Sequence, residues 1–146
     1  DHRDLHSFPT RRSSDLGLAA LQKRYGFVGV KMSGDAKSIV MVSAESNAPA
    51  EVETVPLAGN TVFLKLDCDF KNRADKAYFF YSLDGHQWTA IGKPLQMAYT
   101  LPHFMGYRFA LFNFATKTAG GFVDFDYFRV SDRITAIPAR SLPRDR

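Results

Sequence analysis

The sequence holds a single cysteine, Cys68, in 146 residues, so no disulfide can form within the chain. No apolar run approaches the ~18 residues of a membrane-spanning helix, which excludes a span of that kind and a membrane partner. The N-terminal residues lack the continuous apolar stretch of a signal peptide. Charge of either sign is not in large excess: the formal net charge is +4, and residues 17–136 carry 13 Lys and Arg against 11 Asp and Glu. With half of the basic excess in residues 137–146 and no basic stripe elsewhere, nucleic acid is excluded as a partner. No Cys/His cluster has zinc-ligand spacing. No glycine-rich phosphate loop is present, Gly120–Gly121 reading as a turn between strands. No Ser-His-Asp set is proposed. Helical periodicity is almost absent: only Gly17–Arg24 (GLAALQKR) could form a helical turn, and it is too short to stand alone.

What is abundant is aromatic. Phe, Tyr and Trp number 20, and 19 of them fall in residues 17–136. A hydrophobic fraction of 45% and a charged fraction of 23% are those of a globular chain. At 146 residues one domain is expected, large enough to bury a core without a covalent staple.

The two ends read differently from the middle. Residues 1–16 (DHRDLHSFPTRRSSDL) have neither helical nor strand periodicity, and LHSFPTRRSSDL resembles a translated sequencing adapter. They are therefore expected to be unstructured and are set apart from fold and function, His2, His6 and Ser13–Ser14–Asp15 included. Residues 137–146 (IPARSLPRDR) hold two prolines and three arginines with little to bury, and are expected to be a disordered tail.

Between them, strand patterns recur at short spacing. Gly26–Ser33 and Ser38–Ser46 read as strands joined by a Gly34–Asp35 turn. Glu51–Leu57 and Thr61–Phe70 read as a second pair around Ala58–Gly59–Asn60. In the latter strand Val62, Leu64, Leu66, Cys68 and Phe70 alternate with Thr61, Phe63, Lys65, Asp67 and Asp69, a period of two with one core face and one wet face. Cys68 then counts as a small buried hydrophobe. Ala77–Ser82, Gln87–Ile91, Leu95–Thr100, Gly106–Thr116 and Phe122–Val130 complete the set, with Leu83–Asp84–Gly85–His86 as a tight turn. Gly106–Thr116 is apolar on both faces, as a central strand would be. The expectation is an all-β fold, an antiparallel two-sheet β-sandwich over residues 17–136.

Tyr78 to Asp132, with YSLDG and the following Trp88, HFMGYRFALFNFAT and GGFVDFDYFRV, resembles the C-terminal concanavalin A-like domain attached to family 43 glycoside hydrolases of the β-xylosidase and arabinofuranosidase type. GLAALQKRYGFVGV, KSIVMVSAES and DKAYFFYS fit the same resemblance, which covers about residues 17–134. It implies a jelly-roll sandwich that follows a five-bladed catalytic propeller and packs on it, in secreted or periplasmic enzymes that invert at glycosidic bonds with two carboxyls set apart. It also implies that the domain's first strand and the propeller are missing here, so that the chain alone is inactive. The functional expectation is an accessory sandwich that supports a catalytic propeller in plant-polysaccharide breakdown. The alternative is an independent carbohydrate-binding module for xylan or arabinoxylan.

Candidate residues follow from chemistry. Sugar rings stack their C–H faces on aromatic rings. Phe63 falls on the polar face of its strand, and Tyr78 and Phe80 share a face, so these three and Trp88 are candidates for a carbohydrate or propeller contact. His103 and Phe104, in the LPHFMG loop, are candidates for a contact at the propeller rim. Asp124 and Asp126 lie two apart on one strand face, as Asp67 and Asp69 do. Such pairs could serve acid–base chemistry, or calcium as a cofactor, or could simply be a solvated or Arg-paired face with Arg108 and Arg129 as partners. No catalytic residue and no other cofactor are expected.

Overall fold

The computed structural model describes residues 14–46, 48–98, 106–116 and 123–132. Within them the chain forms two antiparallel sheets packed as a sandwich, as the strand pattern implies. Nine strands appear in the order β1 Ser14–Leu21, β2 Tyr25–Ser33, β3 Ala36–Ala44, β4 Ala50–Pro56, β5 Phe63–Asp69, β6 Lys76–Ser82, β7 Thr89–Ala90, β8 Leu95–Gln96 and β9 Arg108–Ala115. One sheet runs β4-β3-β2-β1-β9; the other runs β5-β6-β7, with β8 also paired to β6. The only helical element among the described residues is a 3₁₀ turn at Lys71–Arg73.

The core lies between the sheets, and the period-two pattern fills it. Leu16, Leu18 and Ala20 of β1, Val28, Val30 and Met32 of β2, and Ile39 and Met41 of β3 face Ala77 and Phe79 of β6 and Ile91, Leu95 and Met97 beyond it. Burying a side chain of this size contributes about 1.5–3 kcal/mol. Leu64, Leu66 and Cys68 pack on this core from β5, as the alternation predicts. Burial, and secondarily the Asp67 carboxylate, push the Cys68 thiol up to about 12.

Four expectations are corrected. Gly17–Arg24 holds no helical turn; its first residues lie in β1, which pairs with β2 on one side and β9 on the other. Alternation decides here, since Leu16, Leu18 and Ala20 point inward while Gly17 and Ala19 share the opposite face. Gly17 sits directly opposite Gly29. A Cβ on Gly17 would lie 2.3 Å from the Val28 carbonyl oxygen, so close approach of the strands requires glycine there. Strand β1 also begins at Ser14, inside the segment set apart as adapter-like.

Second, the strands around Ala58–Gly59–Asn60 do not pair with each other. β4 pairs with β3, with a register shift between Met41 and Val42, and β5 pairs with β6. The connection crosses from sheet to sheet because Leu57 and Val62, at its two ends, are both buried in the core. The Leu57 N–H still follows the first sheet, donating to the Lys37 carbonyl at 3.0 Å. Third, β9 is not central but stands last in its sheet among the described residues. Fourth, the described part of Phe122–Val130 runs without a ladder, with an isolated bridge at Asp124. Val123 and Phe125 nevertheless pack on the core.

Polar ties join the layers. Glu53 Oε2 accepts from the Gly92 N–H at 3.1 Å, and Glu45 Oε1 from the Gln96 N–H at 2.8 Å. The Gln96 amide in turn donates to the carbonyls of Ala74 and Asp75 at 3.0 and 3.1 Å. The turn over Ser82–Gln87 closes on itself, and Asp84 Oδ1 accepts from the N–H groups of His86 and Gln87, each at 2.8 Å.

Candidate functional site

The residues with chemistry gather on the outer face of the smaller sheet. Pairing of β5 with β6 places Phe63 opposite Ser82, Lys65 opposite Phe80 and Asp67 opposite Tyr78. Ala90 of β7 stands beside Phe80. These odd-numbered β5 residues and even-numbered β6 residues share the face turned away from the core. Three of the five aromatics singled out in the sequence, Phe63, Tyr78 and Phe80, meet there, and a fourth, Trp88, stands just ahead of β7.

This face is not wet, contrary to the alternation pattern. Phe63, Tyr78 and Phe80 are buried by the chain itself, and Phe80 has no exposed surface at all. The reasons are local. The turn after β6 folds back so that a Cβ on Gly85, at φ +79°, would lie 3.1 Å from the Phe63 ring. Lys65 Nζ lies 4.6 Å from the Phe80 ring centroid and 5.0 Å from that of Trp88, so an ammonium and an indole cover what the strand pattern left open. Trp88 itself is half-buried.

Two charges sit in this cover. Lys65 Nζ is 3.5 Å from Asp67 Oδ2, and the two side chains are 15% and 8% exposed. Asp67 Oδ2 has no hydrogen-bond partner among the described residues. Burial pushes the Asp67 carboxyl above its ordinary value, outweighing the attraction of Lys65. The sequence pattern did not single out Lys65, and it grouped Asp67 with Asp69 on a solvated face. The available signal was the pair Lys65 and Asp67 two apart beside Phe63, but nothing local indicates that a tryptophan far along the chain, Trp88, will cover them.

The other candidates lie apart from this face. Asp124 and Asp126 are both exposed. Among the described residues, no three or more His, Cys, Asp or Glu gather as a metal ion would need. His103 and Phe104 lie outside the described residues, and His86 is exposed in its turn. Arg129 is placed over the Tyr127 ring, 4.6 Å from its centroid.

Two further surfaces are apolar. On the outer face of the larger sheet, Phe27 meets Phe112 edge-on at 4.7 Å, and Phe112 stacks on Phe114 at 5.8 Å. Along β9 and residues 127–130, Phe109, Leu111, Phe114, Tyr127, Phe128 and Val130 are all exposed, Val130 to 72%. Exposed apolar clusters of this kind mark interaction surfaces in soluble chains. Asp67 faces an ammonium rather than a second carboxyl.

Comparison with known proteins agrees with this picture. A family model described as the β-xylosidase C-terminal concanavalin A-like domain matches residues 4–131. No curated protein matches the chain. Among solved structures, a bifunctional GH43-CE protein of Bacteroides eggerthii is 56% identical with a TM-score of 0.82, covering 86% of this chain and 16% of its own. A GH43 glycoside hydrolase whose engineered active site displays both endo-xylanase and exo-arabinofuranosidase activity is 27% identical with a TM-score of 0.69, covering 78% of this chain and 25% of its own. The chain thus spans a quarter or less of the length of either relative.

Proposed function

The chain belongs to the family of β-xylosidase C-terminal concanavalin A-like domains, and from that premise we propose that it is the accessory sandwich of a family 43 glycoside hydrolase, packing on and supporting a five-bladed catalytic propeller in plant-polysaccharide breakdown. The observation that carries this reading is the number of large apolar side chains left exposed, Phe109, Leu111, Tyr127, Phe128 and Val130, on a domain that fills only 16% and 25% of two GH43 relatives. A catalytic domain of that class is the partner whose docking would remove these side chains from water. Its setting would be periplasmic or secreted, where polysaccharide is met. On this reading the chain alone turns over no aryl xyloside or arabinofuranoside.

The test uses the catalytic part of the Bacteroides eggerthii relative, expressed without its own sandwich and mixed with this chain. A complex on size-exclusion chromatography, lost on Phe128→Asp and Val130→Asp, is the expected result. Elution of two separate folded species would overturn the reading. These variants are informative because both positions are exposed, so a folded chain is retained.

A second reading, that the sandwich itself binds carbohydrate, is supported by Trp88, which is half-buried on the outer face of the smaller sheet beside Lys65. An indole there offers a surface on which a sugar C–H face can stack.

A further inference from the structure

We infer that the side of the sandwich bounded by β5 and β9 accepts an extended, alternately apolar β-strand of a family 43 chain, an inference that rests on the accessory reading and says how such a partner engages. Burial falls away on this side in both sheets. In the larger sheet Ala20 and Leu18 of β1 are buried, whereas their partners on β9, Phe109 and Leu111, are 39% and 38% exposed on the same inward face. In the smaller sheet Phe79 and Ala77 of β6 are buried, whereas their partners on β5, Leu66 and Cys68, are only half-buried. β5 lies over β1 and β2, so β9 overhangs the smaller sheet. One more strand beside β5 would cover that overhang.

The edge is suited to it. β5 stands last in its sheet among the described residues and pairs with β6 in unbroken register. Such an edge presents a row of backbone N–H and C=O groups to an incoming strand. The far edge of the larger sheet is guarded instead: β4 has a register shift against β3, the two glutamates Glu51 and Glu53, and Pro56 at its end. β9 holds neither proline nor carboxylate. Val123 and Phe125 reach the core from a segment with only an isolated bridge, at Asp124, and form no ladder along β5.

The occupant follows from what precedes β1. A segment ahead of β1 is the one that can reach β5, because β5 lies over β1. The family match begins at residue 4, while β1 begins at Ser14. Residues 4–13 of this chain do not have the required pattern: one alternate row holds Pro9 and Arg11, and the other holds Asp4 and Arg12. The inward row of a seated strand must be apolar, and a proline removes a ladder donor. The fitting partner is the corresponding segment of a family 43 chain, with apolar residues at every second position to cover Phe109, Leu111, Leu66 and Cys68.

The experiment titrates the full chain with a labelled synthetic peptide of about ten residues, a strand's length, copied from the Bacteroides eggerthii relative immediately ahead of the residue aligned with Ser14. A scrambled peptide of the same composition is the control. Fluorescence anisotropy is expected to show saturable binding, about tenfold tighter or more than with the scrambled peptide. Hydrogen exchange is expected to slow at the β5 amides that point away from β6, and only when peptide is present. Leu111→Asp is expected to weaken binding about tenfold or more, with Phe109→Asp as the second variant should Leu111→Asp not fold. Absence of saturable binding, equal binding of the scrambled peptide, or unchanged affinity in a folded variant overturns the inference. So does protection of those β5 amides in the free chain, which would put another part of the chain there. A dimer that excess peptide leaves intact would put a second copy there and overturns it too. The catalytic part of the relative, ending ahead of the peptide segment, separates the two levels of failure. A complex with this chain and no peptide binding leaves the accessory reading standing and removes the strand site. Peptide binding without a complex keeps the strand site and removes the accessory reading, and loss of both signals removes both.

Discussion

Asp67 and Lys65 respond to substitution unequally, and the structure gives the direction. At 3.5 Å the pair's attraction is about 5 kcal/mol at an effective dielectric near 20. Removing each ion from water costs several kcal/mol, and the raised Asp67 carboxyl shows that its own desolvation outweighs what Lys65 returns. Asp67→Asn removes the more deeply buried charge and leaves an ammonium that can extend to solvent on its long stem. It is expected to change stability at pH 7 by less than about 1 kcal/mol. Lys65→Met instead strands a carboxylate that is 8% exposed and takes a cation from between two aromatic rings. It is expected to cost about 3 kcal/mol, or roughly 10 °C in Tm for a domain of this size. The pH dependence has a definite sign. Asp67 holds its proton more tightly when folded, so the stability linked to it is full below its ordinary value of 3.8 and is lost as pH rises through the raised folded value. Wild type should therefore lose ground to Asp67→Asn as pH rises, and the penalty of Lys65→Met should shrink in acid. Thermal melts followed by circular dichroism at several pH values measure all three chains. A larger loss for Asp67→Asn than for Lys65→Met at pH 7, or a Lys65→Met penalty that grows in acid, refutes the reasoning.

Three other outcomes follow from local geometry. Gly85→Ala forces a side chain onto φ +79° and against the Phe63 ring at 3.1 Å; a loss of about 1–2 kcal/mol in chemical denaturation is expected, and an unchanged midpoint would contradict it. The Asp84 carboxyl is held down to about 2 by the N–H groups of Gln87 and His86 and by the Ser82 hydroxyl. Its contribution is present above 3.8 and fades as pH falls toward about 2, so Asp84→Ala should flatten the acid limb of the stability curve. Cys68, with its thiol pushed up to about 12, should resist iodoacetamide at pH 8 in the folded chain and react on addition of denaturant.

Much of the fold was legible because period-two alternation is a strong signal where one face is buried. Strands β2, β3, β5 and β6 lie where the pattern placed them, as does the turn at Gly34–Asp35. Gly17–Arg24 admits a helical turn because Leu-Ala-Ala favours helix locally, while the pairing of Gly17 with Gly29 that fixes its first residues in a sheet is a long-range fact. The turn chemistry of Ala58–Gly59–Asn60 was visible, but turn residues do not say whether the chain returns along the same sheet. Burial of Leu57 and Val62 settles that only once both sheets exist. The aromatic cluster was legible in part. Alternation placed Phe63 off the core face and Tyr78 and Phe80 together, yet it read Lys65 and Asp67 as solvated. A pattern confined to one strand cannot show that Trp88 and the Gly85 turn fold back over it.

The most direct test of the accessory reading is a chimera of the Bacteroides eggerthii relative in which the sandwich, 16% of that chain, is replaced by this one. Thermal stability of its GH43 catalytic domain is the measurement, with the sandwich-deleted protein as reference. This chain is expected to restore the stability lost on deletion, and Phe128→Asp together with Val130→Asp to abolish the gain. A chimera no more stable than the deletion, with both parts folded, would contradict it.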